Sequence, residues 1–346
     1  MRLIVTGGCG FIASTFLRQA LSKGEVERLV NVDVLTYSGR RENVRELLPD
    51  ERFRNVELDI CDAEGIHALV TEERPDAILN FAAESHVDRS LFAARAFVRT
   101  NIDGTLTLLE AARGLQNETK RPMKFVQVST DEVYGDLEDD GGAFRETTPL
   151  DPRNPYSATK AGGDLMALAF ARTHGLHLVV TRASNNYGPF QFPEKLIPLI
   201  ITNALEDKPL PVYGDGKNVR DWLWVEDHCK GVWAALERGR TGQVYNFGGA
   251  SERENIVIVR SILSALGKPE SLIQYVKDRP GHDRRYAIDF TKAKNELGWA
   301  PAQNFEEGLQ KTVDWYVENQ AWWRPLRDQT FETYYKQHYG KLGLEA

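Results

Sequence analysis

The sequence predicts a doubly wound α/β fold of the Rossmann type: a parallel sheet with helices on both faces and a smaller α/β C-terminal lobe. Three observations carry that prediction. Short β-branched runs recur at Leu3–Thr6, Leu29–Val34, Ala77–Phe81, Phe125–Val128, Leu178–Thr181 and Val244–Phe247. Their apolar character is continuous rather than alternating, as expected of strands buried on both faces. Between them lie stretches long enough for crossover helices, such as Ile102–Arg113 and Ser157–Thr173.

In chain order, the first strand ends in Gly7-Gly8-Cys9-Gly10-Phe11-Ile12-Ala13, where Gly7, Gly10 and Ala13 keep a G-x-x-G-x-x-G/A spacing. Glycine there lets the backbone approach a pyrophosphate, whose charge rests on the following helix N-terminus. Such turns are common, and the spacing gains force from Asp33 at the end of the second strand. A carboxylate at that place accepts hydrogen bonds from ribose hydroxyls and repels a 2′-phosphate, favouring NAD over NADP. Asp59-Ile60 either frames the adenine or is an ordinary polar strand end.

Asp131 and Glu132 follow the run Phe125–Val128. Neighbours on an extended strand point to opposite faces, so both can serve one substrate only if the chain leaves strand geometry at Thr130. Two close carboxylates resist ionising together, which leaves one as acid and the other as base. A solvated acidic turn is the bland alternative. Tyr156 and Lys160 share a helix face that Asn154-Pro155 opens. An ammonium near a phenol lowers its pKa and makes Tyr156 a usable base for an alcohol proton. An accidental pairing on a surface helix is the alternative.

After about Gly188 prolines become frequent and the turn Tyr213-Gly214-Asp215-Gly216 appears. Residues 1–188, with a returning segment at about 221–250, are expected to form the NAD-binding domain, and 189–346 mainly the smaller lobe. The aromatic tail (Trp315, Tyr316, Trp322, Trp323, Tyr334, Tyr335, Tyr339) reads as docking contacts. Asp136–Glu146 reads as a mobile acidic loop beside the site.

A net charge of −7 over 346 residues argues against a nucleic-acid partner. The 3 cysteines form no CxxC arrangement, so no metal site is expected and a reducing compartment fits. The first strand begins at once and no apolar run is long enough for a bilayer, which points to a cytoplasmic protein with no membrane partner.

The chain resembles the extended short-chain dehydrogenase/reductase superfamily and, within it, the dTDP-glucose 4,6-dehydratase family. The matching stretches are TGGCGFIAS (6–14), FAAESHVDRS (81–90), STDEVYG (129–135), NPYSATKA (154–161), SNNYGPFQFPEKLIPL (184–199), VYGDGKNVRDWLWVEDHC (212–229) and RPGHDRRYAID (279–289). STDEVYG with FPEKLIP is the specific part, because epimerases and decarboxylases of the superfamily usually lack the Asp-Glu pair. Departures are Cys9 and Ala13 in the glycine loop, with Phe190 and Trp224 where tyrosine is common.

The resemblance implies NAD as cofactor and Thr130, Asp131, Glu132, Tyr156 and Lys160 as the catalytic set. Tyr156, aided by Thr130 and Lys160, would take the 4-hydroxyl proton of dTDP-glucose; Glu132 would take the C5 proton, and Asp131 would protonate the departing 6-hydroxyl. For the cofactor it implies Gly7, Gly10, Phe11, Ile12, Asp33, Leu35, Thr36, Asp59 and Ile60. Phe81, Ala82, Ala83, Ser85, Thr100 and Asn186 join them, with Tyr156 and Lys160. For the nucleotide sugar it implies Ser85, Thr130, Asn185, Lys195, Leu196, Pro211, Tyr213, Arg220, Asn255, Arg279 and His282. Arg220 and Arg279 suit a diphosphate, or bridge to Asp221 and Asp283. Glu194 sits beside the sugar or pairs with Lys195, and His86 is as readily a packed histidine as a ligand. A homodimer through the helices near Ile102–Arg113 and Ser157–Thr173 is also implied. Competing readings are a dehydratase for another nucleotide-glucose, a UDP-sugar epimerase or decarboxylase, and a regulatory NAD-binding protein. The intact catalytic set speaks against the last.

Overall fold

In the computed structural model, which describes residues 1–137, 142–278 and 281–344, the strands in chain order are β1 (Arg2–Thr6), β2 (Arg28–Asp33), β3 (Phe53–Glu57), β4 (Ala77–Asn80), β5 (Lys124–Thr130), β6 (His177–Ala183), β7 (Asn185–Tyr187), β8 (Leu210–Tyr213), β9 (Val219–Trp224), β10 (Gln243–Phe247), β11 (Glu252–Glu254) and β12 (Ile273–Val276). Seven of them form one parallel sheet in the order β10-β6-β5-β4-β1-β2-β3. This is the expected doubly wound fold, and every run singled out above falls on a sheet strand. The order reverses between β1 and β4, the place where such sheets bind ligands at their carboxyl ends.

Each sheet face buries its own apolar layer. On one side Phe16 and Leu17 of the helix Phe11–Leu21 meet Val232, Trp233 and Leu236 of the helix Val225–Arg238. On the other, Leu69, Leu109 and Phe170 come from the helices Ala63–Glu73, Thr105–Thr119 and Pro155–His174. A further core joins the helices Leu196–Leu205, Asn255–Leu266 and Phe305–Glu318 around Tyr187, Trp222 and Trp323. The small sheets β11-β9-β7 and β12-β8 accompany it. Much of the aromatic tail is core: Tyr316 and Trp323 are fully buried, and Phe331, Tyr335 and Tyr339 pack beneath Leu199.

Some boundaries differ from expectation. β2 stops at Asp33 because Val34 is 44% exposed. The helix expected at Ile102–Arg113 is part of a longer run: Val87–Val98, a π-turn at Arg99–Gly104, then Thr105–Thr119. The turn holds Asn101, whose carboxamide accepts the Glu84 N–H at 3.0 Å and donates to the Glu84 carbonyl at 3.1 Å. One extra residue in that turn clamps the loop after β4. Residues 138–141 of the acidic loop lie outside the described residues. Its flanks are pinned: Asp136 accepts the Arg284 and Arg285 N–H groups, and Phe144 is buried against Tyr134. Among the described residues no helix is long and apolar enough to cross a membrane.

Candidate active site

At the carboxyl end of β1, Gly7 adopts φ +75°, and a Cβ there would lie 2.8 Å from the backbone of Ala82. The glycine turn and the loop after β4 are therefore in direct backbone contact. The helix Phe11–Leu21 opens at Gly10 with no side-chain cap and no acidic residue in its first turn, so its positive end faces the turn. Asp33 accepts the Cys9 N–H at 2.9 Å and the Leu35 N–H at 2.8 Å. Burial raises its pKa and those two donors partly oppose the rise. Leu35 has φ +55°, and Thr36 closes the turn by accepting the Gly39 N–H. Phe81 packs on Phe16, and Ala82, followed by Ala83, donates its N–H to Thr6. A glycine cradle, an uncapped helix end and a carboxylate closing β2 fit a dinucleotide. Asp59 is already committed, ion-paired with Arg99 at 2.7 Å, while Ile60 is buried against Gly104. Thr100 lies in the π-turn.

The chain does leave strand geometry at Thr130, entering a 3₁₀ turn over Asp131–Tyr134. The Thr130 hydroxyl accepts the Glu132 N–H at 3.2 Å and donates to Asp131 at 3.3 Å. Asp131 is 1% exposed, and its Oδ2 has no hydrogen-bond partner. Burial, then the charges of Glu132 and Asp221, holds its carboxyl well above the usual range, with Arg220 opposing. The direction is the one expected where two carboxylates crowd each other, and it favours a proton on Asp131.

Asn154 caps the helix Pro155–His174 through a reciprocal pair with Ser157, which fixes Tyr156 in its first turn. Tyr156 is buried edge-on to Phe97. Burial and then Glu132 push its phenol upward, against the neighbouring Thr130 hydroxyl. Lys160 donates to the Val128 carbonyl at 2.7 Å, and burial brings its ammonium down to about 8. The expected lowering of the phenol by the ammonium is not found in the chain alone: Lys160 is aimed at β5, and the strongest charge effect on Tyr156, from Glu132, raises it.

On the substrate side the placements diverge. Asn185 and Asn255 each keep a buried side-chain oxygen without a partner. Arg220 stacks 4.3 Å from the Tyr286 ring and donates to the carbonyls of Val219 and Asp283. It bridges to neither expected carboxylate; Asp221 accepts the Gly249 and Ser251 N–H groups instead. Arg279 lies outside the described residues. Glu194 does not pair with Lys195 but accepts from Tyr37 at 2.7 Å and Arg89 at 3.1 Å. Lys195 reaches the Ser85 carbonyl at 2.8 Å. Leu196 packs into the smaller core, and Pro211 is buried on β8. Tyr213 contacts Asp88 and His338, and its ring meets His282, which pairs with Asp278 at 2.6 Å. Asn186 contacts His228 at 2.9 Å. His86 is a packed histidine that burial holds down at about 4. Sequence reasoning missed Tyr286 over Arg220 and the Tyr37–Arg89–Glu194 cluster, although Tyr286 stands within the stretch 279–289.

The Tyr156–Lys160 pair and the buried Asp131–Glu132 turn, on a doubly wound sheet with a smaller C-terminal lobe, define the class as an extended short-chain dehydrogenase/reductase. More narrowly, a model described as GDP-mannose 4,6 dehydratase matches residues 4–312, and the chain belongs to that family. It is 51% identical over 341 residues to a dTDP-glucose 4,6-dehydratase of Xanthomonas campestris pv. campestris, covering 95% of this chain and 96% of the relative. A crystal structure of dTDP-glucose 4,6-dehydratase from Streptomyces venezuelae with NAD bound has a TM-score of 0.90 and 47% identity, covering 94% of this chain and 100% of the other. The UDP-glucose 4-epimerase of Thermotoga maritima has a TM-score of 0.85 at 29% identity, covering 92% and 100%.

Proposed function

We propose that this chain is an NAD-dependent dehydratase that converts dTDP-glucose to dTDP-4-keto-6-deoxyglucose and water. The observation that carries the reading is the turn that buries the Asp131 carboxyl beside Glu132, where burial and that neighbouring charge raise its pKa, a carboxyl pair that an epimerase has no use for. Bound NAD supplies the hydride acceptor for C4 and the donor for C6. Tyr156, bridged to the site by Thr130, takes the proton of the 4-hydroxyl. The resulting ketone acidifies C5, whose proton goes to Glu132, while Asp131 gives its own proton to the 6-hydroxyl, which leaves as water; once hydride has returned to C6, C5 is reprotonated. Burial excludes water from these transfers and strengthens each charge on its neighbour.

Asn185 and Asn255 offer unpartnered acceptors to the nucleotide sugar, with Tyr213, Lys195 and His282 around them. Arg220 would exchange its backbone carbonyls for the diphosphate. Leu91, Phe92 and Val98 on the helix Val87–Val98, with Leu165 on Pro155–His174, are exposed apolar side chains that suit a homodimer. Three unpaired cysteines suit a cytoplasmic setting. The test is to present dTDP-, UDP- and CDP-glucose to the purified protein and follow ketone formation and product mass. Loss of one water from dTDP-glucose is expected; an isomer of unchanged mass would replace this reading with epimerisation.

A further inference from the structure

The glycine turn is tied to the far end of the chain. Asn43, on the 3₁₀ turn Arg41–Leu47, is 1% exposed, and its carboxamide is bonded at both ends. Its Nδ2 donates to the Cys9 carbonyl at 2.9 Å, and its Oδ1 accepts the indole N–H of Trp322 at 2.9 Å. The sense of this relay is fixed, because an indole N–H only donates and a backbone carbonyl only accepts. Trp322 belongs to the short helix Gln320–Trp323 of the smaller lobe, its ring 5.0 Å from Trp315 and 5.8 Å from Phe190. A second contact crosses the same seam. Arg18, on the helix that follows the turn, stacks 4.1 Å from the Phe190 ring and donates to the Asn43 carbonyl at 2.6 Å. At the turn itself the Cys9 carbonyl also takes the Arg40 N–H at 2.8 Å, and the Cys9 and Gly8 N–H groups go to Asp33 and Asn31. Several ties thus hold the backbone of the cradle, and the one through Asn43 leads into the smaller lobe.

We propose that Asn43 is a positioning residue for the cofactor, carrying the seating of the smaller lobe, through Trp322, to the Cys9 carbonyl, so that this lobe sets how firmly NAD is held. The proposal rests on NAD binding at the glycine turn and not on the identity of the sugar. The Cys9 carbonyl and the Gly10 N–H share one planar peptide unit, and Gly10 is where the helix Phe11–Leu21 opens. Fixing that carbonyl therefore fixes the entry to the helix, whose free N–H groups are the donors a pyrophosphate requires. Packing accounts for an aromatic ring at position 322, yet a phenylalanine would fill the same cluster with no donor to place. The Cys9 carbonyl is already served by Arg40, so the relay is not needed to satisfy it. What the indole adds is direction. With Oδ1 held by Trp322, Nδ2 is turned to Cys9, and the carboxamide cannot swing away without breaking a buried bond.

The test follows NAD release from the holoprotein, with hydrogen exchange at the glycine turn as a second readout. Trp322→Phe keeps the ring and removes the donor; Asn43→Ala removes both bonds. Released NAD is reduced on arrival by excess ethanol and alcohol dehydrogenase and read by absorbance, well below the lowest melting temperature of the set. Release should quicken by about tenfold in Asn43→Ala and by about threefold in Trp322→Phe. The double variant should match Asn43→Ala alone, because the indole acts only through the carboxamide. With NAD in excess, deuterium uptake over residues 7–10 should rise in Trp322→Phe, although Trp322 stands 279 residues from Asn43 in the chain. Unchanged release in Trp322→Phe would overturn the proposal, as would effects that multiply in the double variant, the mark of two independent structural losses. Faster release with unchanged uptake would overturn the route through Cys9. A wild-type protein that carries no NAD would defeat the cofactor reading, while uptake in Trp322→Phe would still decide whether the tie holds the turn.

Discussion

Replacing Gly7 by alanine tests the cofactor cradle with the least chemical change. The residue holds φ +75°, where a side chain costs about 1–2 kcal/mol. The new methyl would also sit 2.8 Å from both the Cα and the N of Ala82, backbone atoms that cannot swing aside. Overpacking of this kind costs about 1–3 kcal/mol, for a total of about 2–5 kcal/mol. Unfolding entropy of about 2.1 cal/mol/K per residue makes each kcal/mol worth about 1.4 °C in a chain this long. The melting temperature should therefore fall by about 3–7 °C. The NAD recovered from the purified protein should fall too, because the loop after β4 is what the methyl displaces. Gly24→Ala is the control, since nothing lies within 4 Å of its added Cβ. Calorimetry of both variants with cofactor extraction gives the comparison. If Gly7→Ala melts with the control and carries a full complement of NAD, the close approach of the two loops is not what shapes the site.

Glu132→Gln should still oxidise the sugar but lower loss of water by about 10²–10⁴-fold, seen as persisting reduced-cofactor absorbance; ordinary dehydration by this variant would remove Glu132 from its role. Asp131→Asn should melt higher than wild type at neutral pH while losing activity. The Asp131 carboxyl lies above its unfolded value, so its stabilising protonated form is complete in acid and lost as pH rises through the folded value. The advantage of the variant should shrink toward acid, and equal melting curves at every pH would contradict the burial argument. Burial pushes Cys9 up to about 12, Cys61 up to about 11 and Cys229 well above its ordinary value. Iodoacetamide near neutral pH should mark the partly exposed Cys61 first; alkylation of Cys9 at the same rate would show that the glycine turn opens.

The central strands were legible because each is buried on both faces and reads as an unbroken apolar run. β3 was not, since it lies at the sheet edge and its middle residues, Arg54 to Val56, are only partly buried. The Asp131–Glu132 turn was legible as a condition: the sequence states what two carboxylates need, and packing decides that Thr130 ends the strand. The direction of Lys160 was not legible. Spacing on a helix fixes which side chains are neighbours, but the Val128 carbonyl that takes the ammonium belongs to another element. Glu194 failed for the same reason, its partners Tyr37 and Arg89 standing far away in the chain. The π-turn leaves no composition signal, because its cause is the tie from Asn101 to the backbone of Glu84.

β10 is drawn into the main sheet from beyond β7, β8 and β9, in register with β6 from Gln243 opposite Val179 to Phe247 opposite Ala183. During synthesis β6 therefore emerges long before its outer neighbour and waits with open backbone donors and acceptors along Leu178 to Val180. A bare, apolar edge of that kind recruits other strands. Expressing the first half by itself would leave that edge permanently unpaired, so a truncation at the first run of prolines removes the strand that covers β6.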